Sequence, residues 1–450
     1  MTAKKSSVDT AGLSMKMKLG YGVGDLAYNI LINVTSFYLL IFYTDVFLIG
    51  AWAAGIIFLV SKLWNALIDP FIGYFIDRTN TRWGKMRPYM IFGAAPLAVC
   101  FYLLFASPDL DQSMRFAYGM ATFLLFNSAF AIANVPYAAL TASMTRDANE
   151  RSNLTAYRMT FATVGMLIAG GATLPLVGLF PSKEIGYKFV AIIFGIFSIA
   201  VILLSASTVR ETVHQQSDDE KQIKLNLKAL SKNYPFIMLV LSYVVSAIAI
   251  YAMASTTNYF FTYYVKREDL IPVAFIVLFV SAVLAFPLWL TVAKKSSKKT
   301  AFISGLIVFC ASLLGIYFFK DLAPVHLIIL IGVAGLGMST FSLFPWAMVP
   351  DTVEYSQWKT GIRQEGFLYG FFVFGLKLSQ AFAGFLTGTI LERIGYVPNV
   401  EQSLETLNGI RFLMTIMPCV LISIGIVLIA FYPINAKMHK RMLEDIEKAN

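Results

Sequence analysis

Long apolar stretches recur along the whole chain, and "AWAAGIIFLVSKLWNALIDPFIGYFI" at 51–76 is representative. A helix rises about 1.5 Å per residue, so about 20 such residues cross the ~30 Å hydrocarbon core of a bilayer. Inside that core every backbone N–H and C=O has to find its partner within the protein. The expectation is an all-α, multi-spanning membrane protein. Composition agrees, since 58% of the residues are hydrophobic and only 14% charged, where a soluble domain is roughly half apolar. The first residues, "MTAKKSSVDTAGLSMKMK", are polar and basic and run straight into a full-length span. No cleavable signal peptide is expected.

The net charge of +10 does not point to nucleic acid, because the charges cluster in short loops between spans. Hydropathy predicts twelve spans, from 18–43 to 409–434, which puts both termini on one side. Most lysines and arginines lie in the termini and in the loops that share their side, so that side is expected to be cytoplasmic. The longest internal loop, "RETVHQQSDDEKQIKLNLKALSKN", follows span six and has the composition of a linker. The expected plan is an N-terminal six-helix half (1–208), a linker (209–234), a C-terminal six-helix half (235–434) and a tail (435–450). "VPYAAL" (135–140) and "FPWAMV" (344–349) are a faint internal echo of that plan.

Charges inside spans are costly, at least about 2.5–3.5 kcal/mol each on insertion scales, and so are functional candidates. They are few: Asp25, Lys62, Asp69, Arg158 and Lys377. Counted at 1.5 Å per residue from the terminal side, Asp25, Asp69 and Arg158 lie about 10 Å deep, Lys377 about 16 Å and Asn134 about 9 Å. They converge on one layer. Lys62, Asn65 and Asp69 stand at i, i+3 and i+7, one stripe of a helix, and Pro70 frees a carbonyl one turn earlier. Asp69 is the leading candidate: a carboxylate in a dry setting exchanges a proton or supplies hard oxygen to Na⁺. The plainer reading is a structural ion pair with Lys62 or Lys377. In "GYGVGDLAYN", Asp25 and Asn29 share a face behind a small-residue pair, Gly20 and Gly24. Arg158, with Tyr157 beside it, either lines a binding site or snorkels to the headgroups. Asn258 in "STTNYF" is a candidate hydrogen-bonding wall for a polyol.

Two loops on the terminal side also stand out. "GYFIDRTNTRWGKMRP" (73–88) carries Asp77 and Arg78, and "DTVEYSQWKTGIRQEG" (351–366) carries Asp351, Glu354 and Arg363. Charges of opposite sign on the two would form a gate of surface pairs. The three cysteines and three histidines are far apart and have no disulfide or metal-ligand spacing. Neither a zinc site nor a histidine relay is expected. No nucleophile–base or H-E-x-x-H grouping supports an enzyme, and no repeated charge rings support a channel. Nor is a cofactor expected.

Taken together, "YGVGDLAYN", "WNALIDP", "TRWGKMRPY", "NVPYAAL", "DTVEYSQWKTGIRQEG" and "IGYVPNVEQS" resemble the glycoside–pentoside–hexuronide cation symporters, over roughly 16–435. The resemblance implies a major facilitator fold, alternating access, a sugar or glycoside as substrate, a coupling cation and a bacterial cytoplasmic membrane. In that family the second span carries two cation-binding aspartates in a W-D-A-x-x-D-P pattern; here the first position is Asn65 and the second Asp69. A hydroxyl residue of the melibiose permease cation site corresponds to Ala131, and its two sugar-site carboxylates to Asn29 and Asn134. Its sugar-site arginine corresponds to Arg158 and its span-eleven lysine to Lys377. The thinned ligand set favours H⁺ as the coupling ion through Asp69 over Na⁺. In the sodium case Asp69 would be the metal ligand. Loss of carboxylates beside Arg158 and Lys377 favours an anionic sugar such as a glucuronide. A lipid or other organic solute carrier of the same fold is the alternative.

Overall fold

The computed structural model describes residues 13–145, 147–209, 211, 228–319 and 323–449. Among the described residues twelve helices are long and apolar enough to cross a membrane. They are α1 (Met15–Ile41), α2 (Ala51–Arg78), α3 (Arg87–Leu104), α4 (Gln112–Met144), α5 (Ala148–Val177) and α6 (Lys183–Thr208), then α7 (Tyr234–Tyr259), α8, α9 (Lys298–Phe318), α10 (Pro324–Thr360), α11 (Glu365–Arg393) and α12. Two of them are broken: α8 into Leu270–Leu284 and Phe286–Lys295, α12 into Leu404–Met414 and Ile416–Ala430. A final helix, α13 (Ala436–Ala449), follows the last span. Residues 212–227, most of the expected linker with His214, and residues 1–12 lie outside the described part.

Local chemistry sets the ends. The orphan N–H groups of a helix start need an acceptor. Ser14, Asp111, Ser182, Asn233, Ser297 and Ser403 each supply one from the side chain. Gly361, at φ 71°, closes α10 in the left-handed conformation that favours glycine. Here the structure corrects the sequence expectation. Pro345 and Pro350 do not end the helix, which continues to Thr360, so Asp351 and Glu354 sit on α10 and not in a loop. Likewise α2 extends through Asp77 and Arg78. A proline removes one ladder bond and clashes one turn back, which kinks a long helix without stopping it when neighbours pack around it.

α1 and α7 end alike. Each passes into a five-residue π-turn, Phe42–Val46 and Phe260–Tyr264. Each turn is followed by a residue at positive φ, Leu48 at 56° and Lys266 at 58°. The backbone bonds match as well: Phe47 N donates to Phe42 O and Ile49 N to Tyr43 O, as Val265 N does to Phe260 O and Arg267 N to Phe261 O. This internal repeat is far clearer than the echo between 135–140 and 344–349.

α1 packs on α5 and α6, α3 on α4 and α6, and α2 on α4; α7 packs on α11 and α12, α9 on α10, and α10 on α8. Three seams join the two sets of six: α1 with α7, α2 with α11, and α5 with α8. We call the face bearing Met15 and α13 the terminal face. The α2–α11 seam is tight at the other face. A Cβ at Gly388 would lie 2.4 Å from Ala51 O and 2.9 Å from Gly55 Cα. Towards the terminal face, at Gly73, Gly366 and Gly370, a Cβ would meet nothing within 4 Å. Gly388→Ala is therefore expected to lower the thermal stability of the detergent-solubilised protein, by about 1–3 kcal/mol. Gly370→Ala should be neutral or slightly stabilising, since alanine is the better helix former.

Candidate functional site

Two ion pairs form in the layer where the sequence places its charges. On the first, Arg158 Nε of α5 donates to Asp25 Oδ2 of α1 at 2.6 Å, with Nη2 3.5 Å from Oδ1. Tyr21 and Tyr137 wall the guanidinium, 5.5 and 5.0 Å from their ring centroids, and lock α1 to α4 by reciprocal bonds of 3.1 and 2.8 Å to each other's carbonyls. The pair is enclosed within one set of six helices.

The second pair joins the two sets. Lys377 Nζ of α11 bonds Asp69 Oδ2 of α2 and lies 3.4 Å from the backbone O of Asn65. Asp69 Oδ1 is buried with no hydrogen-bond partner among the described residues. The sequence leaves Lys62 and Lys377 open as partners of Asp69; the structure selects Lys377. Asn65 donates to Asn127 O of α4 at 3.1 Å and so ties α2 to α4. The carbonyl that Lys377 approaches is that of Asn65, not the Ala66 carbonyl freed by Pro70. Both Arg158 and Lys377 are thus already met by a carboxylate, which removes the argument that they are free positive charges.

A polar ladder rises from Asp25 along one face of α1. Asn29 Nδ2 donates to Asp25 O at 2.9 Å and Asn33 Nδ2 to Asn29 O at 2.8 Å. Asn29 and Asn33 are half-buried, as is Asn134 on α4. Asn33 is missed by sequence reasoning that weighs charges first, although its i+4 spacing from Asn29 is readable. The structure does not bring Tyr157 and Asn258 to this layer. The Tyr157 hydroxyl faces Met15 Sδ at 3.2 Å, at the start of α1. Asn258 Nδ2 donates to Phe37 O at 2.5 Å and stitches α7 to α1.

That stitch belongs to a closure at the face opposite the termini. Ser255 Oγ donates to Ser36 O (3.2 Å), and the Thr44 and Tyr259 hydroxyls meet at 2.8 Å. At its centre the Asp45 carboxylate accepts from Tyr263, from Tyr396 at 2.5 Å and from Thr44 at 2.6 Å, while Asn399 Nδ2 donates to Asp45 O at 2.7 Å. Burial, and then the charge of Asp45, push the Tyr396 phenol far above its ordinary range, so it stays a donor. Lys183 and Glu268 add an exposed pair across the α6–α8 side.

Among the described residues, Asp351, Glu354 and Arg363 of the expected gate on the terminal face find other partners. Asp351 pairs with Lys298 at 2.8 Å, Glu354 with His439 at 2.6 Å and Arg363 with Glu365 at 3.2 Å, all within the second set of helices. Arg78 is exposed and stacks on Tyr74, and the Asp77 side chain lies outside the described part. The reason is geometric: the halves are splayed on this side, so these charges find partners on their own half. The loop 79–86 has a different task. Glu211 accepts from the N–H groups of Lys85, Met86 and Arg87 at 2.7, 2.9 and 3.1 Å, an anion seated at the start of α3. Two groupings that sequence spacing hides also appear. Asp351, Glu354 and His439 converge within 4.8 Å, although Lys298 holds Asp351. Cys419 Sγ lies 3.5 Å from Cys310 O, both thiols free.

Asp45→Ala removes the acceptor that the closure shares. Hydrogen bonds to charged groups are worth about 1.5–3 kcal/mol each, so opening at this face should become at least about tenfold more populated. Faster labelling of a cysteine introduced at Ser36, with an impermeant reagent applied from that face, is the expected readout. Unchanged labelling would remove Asp45 from the closure.

Residues 20–436 match the family described as MFS/sugar transport protein. The chain is 33% identical over 447 residues to the symporter YnaJ of Bacillus subtilis (strain 168), covering 97% of this chain and 95% of that protein. It is 30% identical over 444 residues to the glucuronide carrier protein homolog of Escherichia coli (strain K12), covering 97% and 96%. Among solved structures it matches a bacterial homolog of the human lysosomal transporter Spinster, in an inward-facing and unoccupied conformation, with TM-score 0.65, 14% identity, and 96% and 97% coverage.

Proposed function

Given that the chain belongs to the family of MFS/sugar transport proteins, a twelve-helix transporter and not an enzyme, we propose that it imports a glycoside, pentoside or hexuronide by symport with H⁺. In this reading the terminal face is cytoplasmic, and the state described is open to the cytoplasm and closed outside. The sugar binds between the halves, against Asn29, Asn134 and the layer of the two ion pairs.

The observation that carries the proposal is the Asp69–Lys377 pair, which spans the α2–α11 seam and leaves Asp69 Oδ1 buried and unpartnered. A proton taken from outside lands on that carboxylate and cancels the attraction that holds Lys377. α2 and α11 are then free to change partners as the halves rock, and the pair re-forms once the proton leaves to the cytoplasm. Na⁺ would need several hard oxygens around Asp69. The position of Asn65 offers an amide and that of Ala131 none. The test is uptake into proteoliposomes in Na⁺-free buffer, driven by an inward pH gradient. Accumulation is the expected result; a strict requirement for Na⁺ would sink the proton assignment.

A further inference from the structure

Lys62 is the intramembrane charge that the two ion pairs leave over; it stands seven residues from Asp69 along α2, about 10 Å nearer the closed face. It lies 11 residues from Ala51 along α2, about 16 Å from that helix end, too deep for its side chain to reach a headgroup. It is 3% exposed. Among the described residues it has no ion pair and no hydrogen bond; its attractive contact is the Phe123 ring, 5.6 Å from Nζ. Burial of an unpaired ammonium is strongly unfavourable. Lys377, its neighbour, repels it and is committed to Asp69. With Asp25 paired to Arg158 and Asp69 to Lys377, Lys62 is left without a carboxylate partner among the described residues.

Lys62 also faces something. It lines a small pocket with Ser36 of α1, Tyr251 and Ser255 of α7 and Gln380 of α11, with Phe58, Ala383 and Gly384 forming its apolar side, and there is room for about one water in this state. Ser36, whose hydroxyl donates to Ile32 O at 2.8 Å, stands about one turn beyond Asn33, the last residue of the ladder that begins at Asp25. The pocket is therefore the outer end of the polar track along which a sugar would lie, directly beneath the closure around Asp45.

Resting on the reading of this chain as a sugar symporter, we propose that Lys62 receives the anionic group, carboxylate or sulfonate, of a sugar acid, with Tyr251 and Gln380 as hydrogen-bonding neighbours. When the outer face opens, Lys62 is the first unpaired charge that the substrate meets. The acid group neutralises it, and the sugar hydroxyls fall on Asn33 and Asn29. Lys62 is thereby a specificity residue and not part of the coupling pair.

The test compares methyl β-D-glucuronide with methyl β-D-glucoside, which differ only at C6, by competition against counterflow in proteoliposomes of the full chain. The quantity read is the ratio of the two affinities, which does not depend on how much protein folds. The wild type should favour the glucuronide by about tenfold or more, the scale of a hydrogen bond to a charged group. Lys62→Gln should bring the ratio within about twofold of one, and Lys62→Arg should restore it. An unchanged ratio in Lys62→Gln overturns the assignment and leaves the symporter reading intact. So does a wild type that carries the glucoside and refuses the glucuronide. Refusal of both sugars, with no uptake of any glycoside or pentoside, overturns the two together.

Discussion

Asp69→Asn is expected to abolish accumulation of substrate while leaving exchange. For a neutral glycoside carried with one proton, the charge moving down the membrane potential is worth about 2.3 kcal/mol per 100 mV, which supports roughly 50-fold accumulation. In the variant the steady-state ratio of internal to external sugar should fall to about one. An amide has the carboxylate's shape but binds no proton at this pH, so the driving ion loses its seat. Lys377 loses its partner too, yet its side chain is 21% exposed, so water can solvate it. The fold should therefore survive, and counterflow of preloaded sugar should persist. Wild-type accumulation in Asp69→Asn would exclude this carboxylate as the coupling group.

Asp25→Asn should act on the fold and not on coupling. Arg158 is pressed between two tyrosines and its partner carboxylate is only 7% exposed. Removal of one member of a buried pair leaves an uncompensated charge and costs about 3–5 kcal/mol, whereas replacement of both is often close to neutral. The single variant should give markedly less folded protein and a lower melting temperature. Asp25→Asn combined with Arg158→Gln should recover most of that loss. If the double variant melts no higher than the single one, the guanidinium has a role beyond balancing Asp25.

Which of these features the sequence discloses follows from how each signals itself. Asp25, Asp69, Arg158 and Lys377 are conspicuous because charge in an apolar run is rare and costly, and the four meet as two ion pairs. Their pairing is less legible. Lys62 is seven residues from Asp69 on the same helix and Lys377 more than three hundred away, yet the distant lysine is the partner, because side-chain direction and helix packing decide it. Asp45 escapes notice since it stands where an apolar span ends, and its donors Tyr263 and Tyr396 read as ordinary interfacial aromatics. The terminal-face charges mislead for the opposite reason. They are evident in sequence, but their partners depend on which face of the transporter is open, a property of conformation and not of composition.

The two matching π-turns carry one more consequence. Asp45 and Tyr263 are the fourth residues of their respective turns, and each is bonded to the other. Parallel repeats of this fold are related by rotation about the membrane normal, so a residue on that rotation axis faces its own counterpart. Two aspartates there would repel in the same dry volume, and two tyrosines would offer no charge for their hydroxyls to satisfy. A duplicated chain can close tightly at its axis only by ceasing to be symmetric there, and the acid–phenol contact is where this one does so.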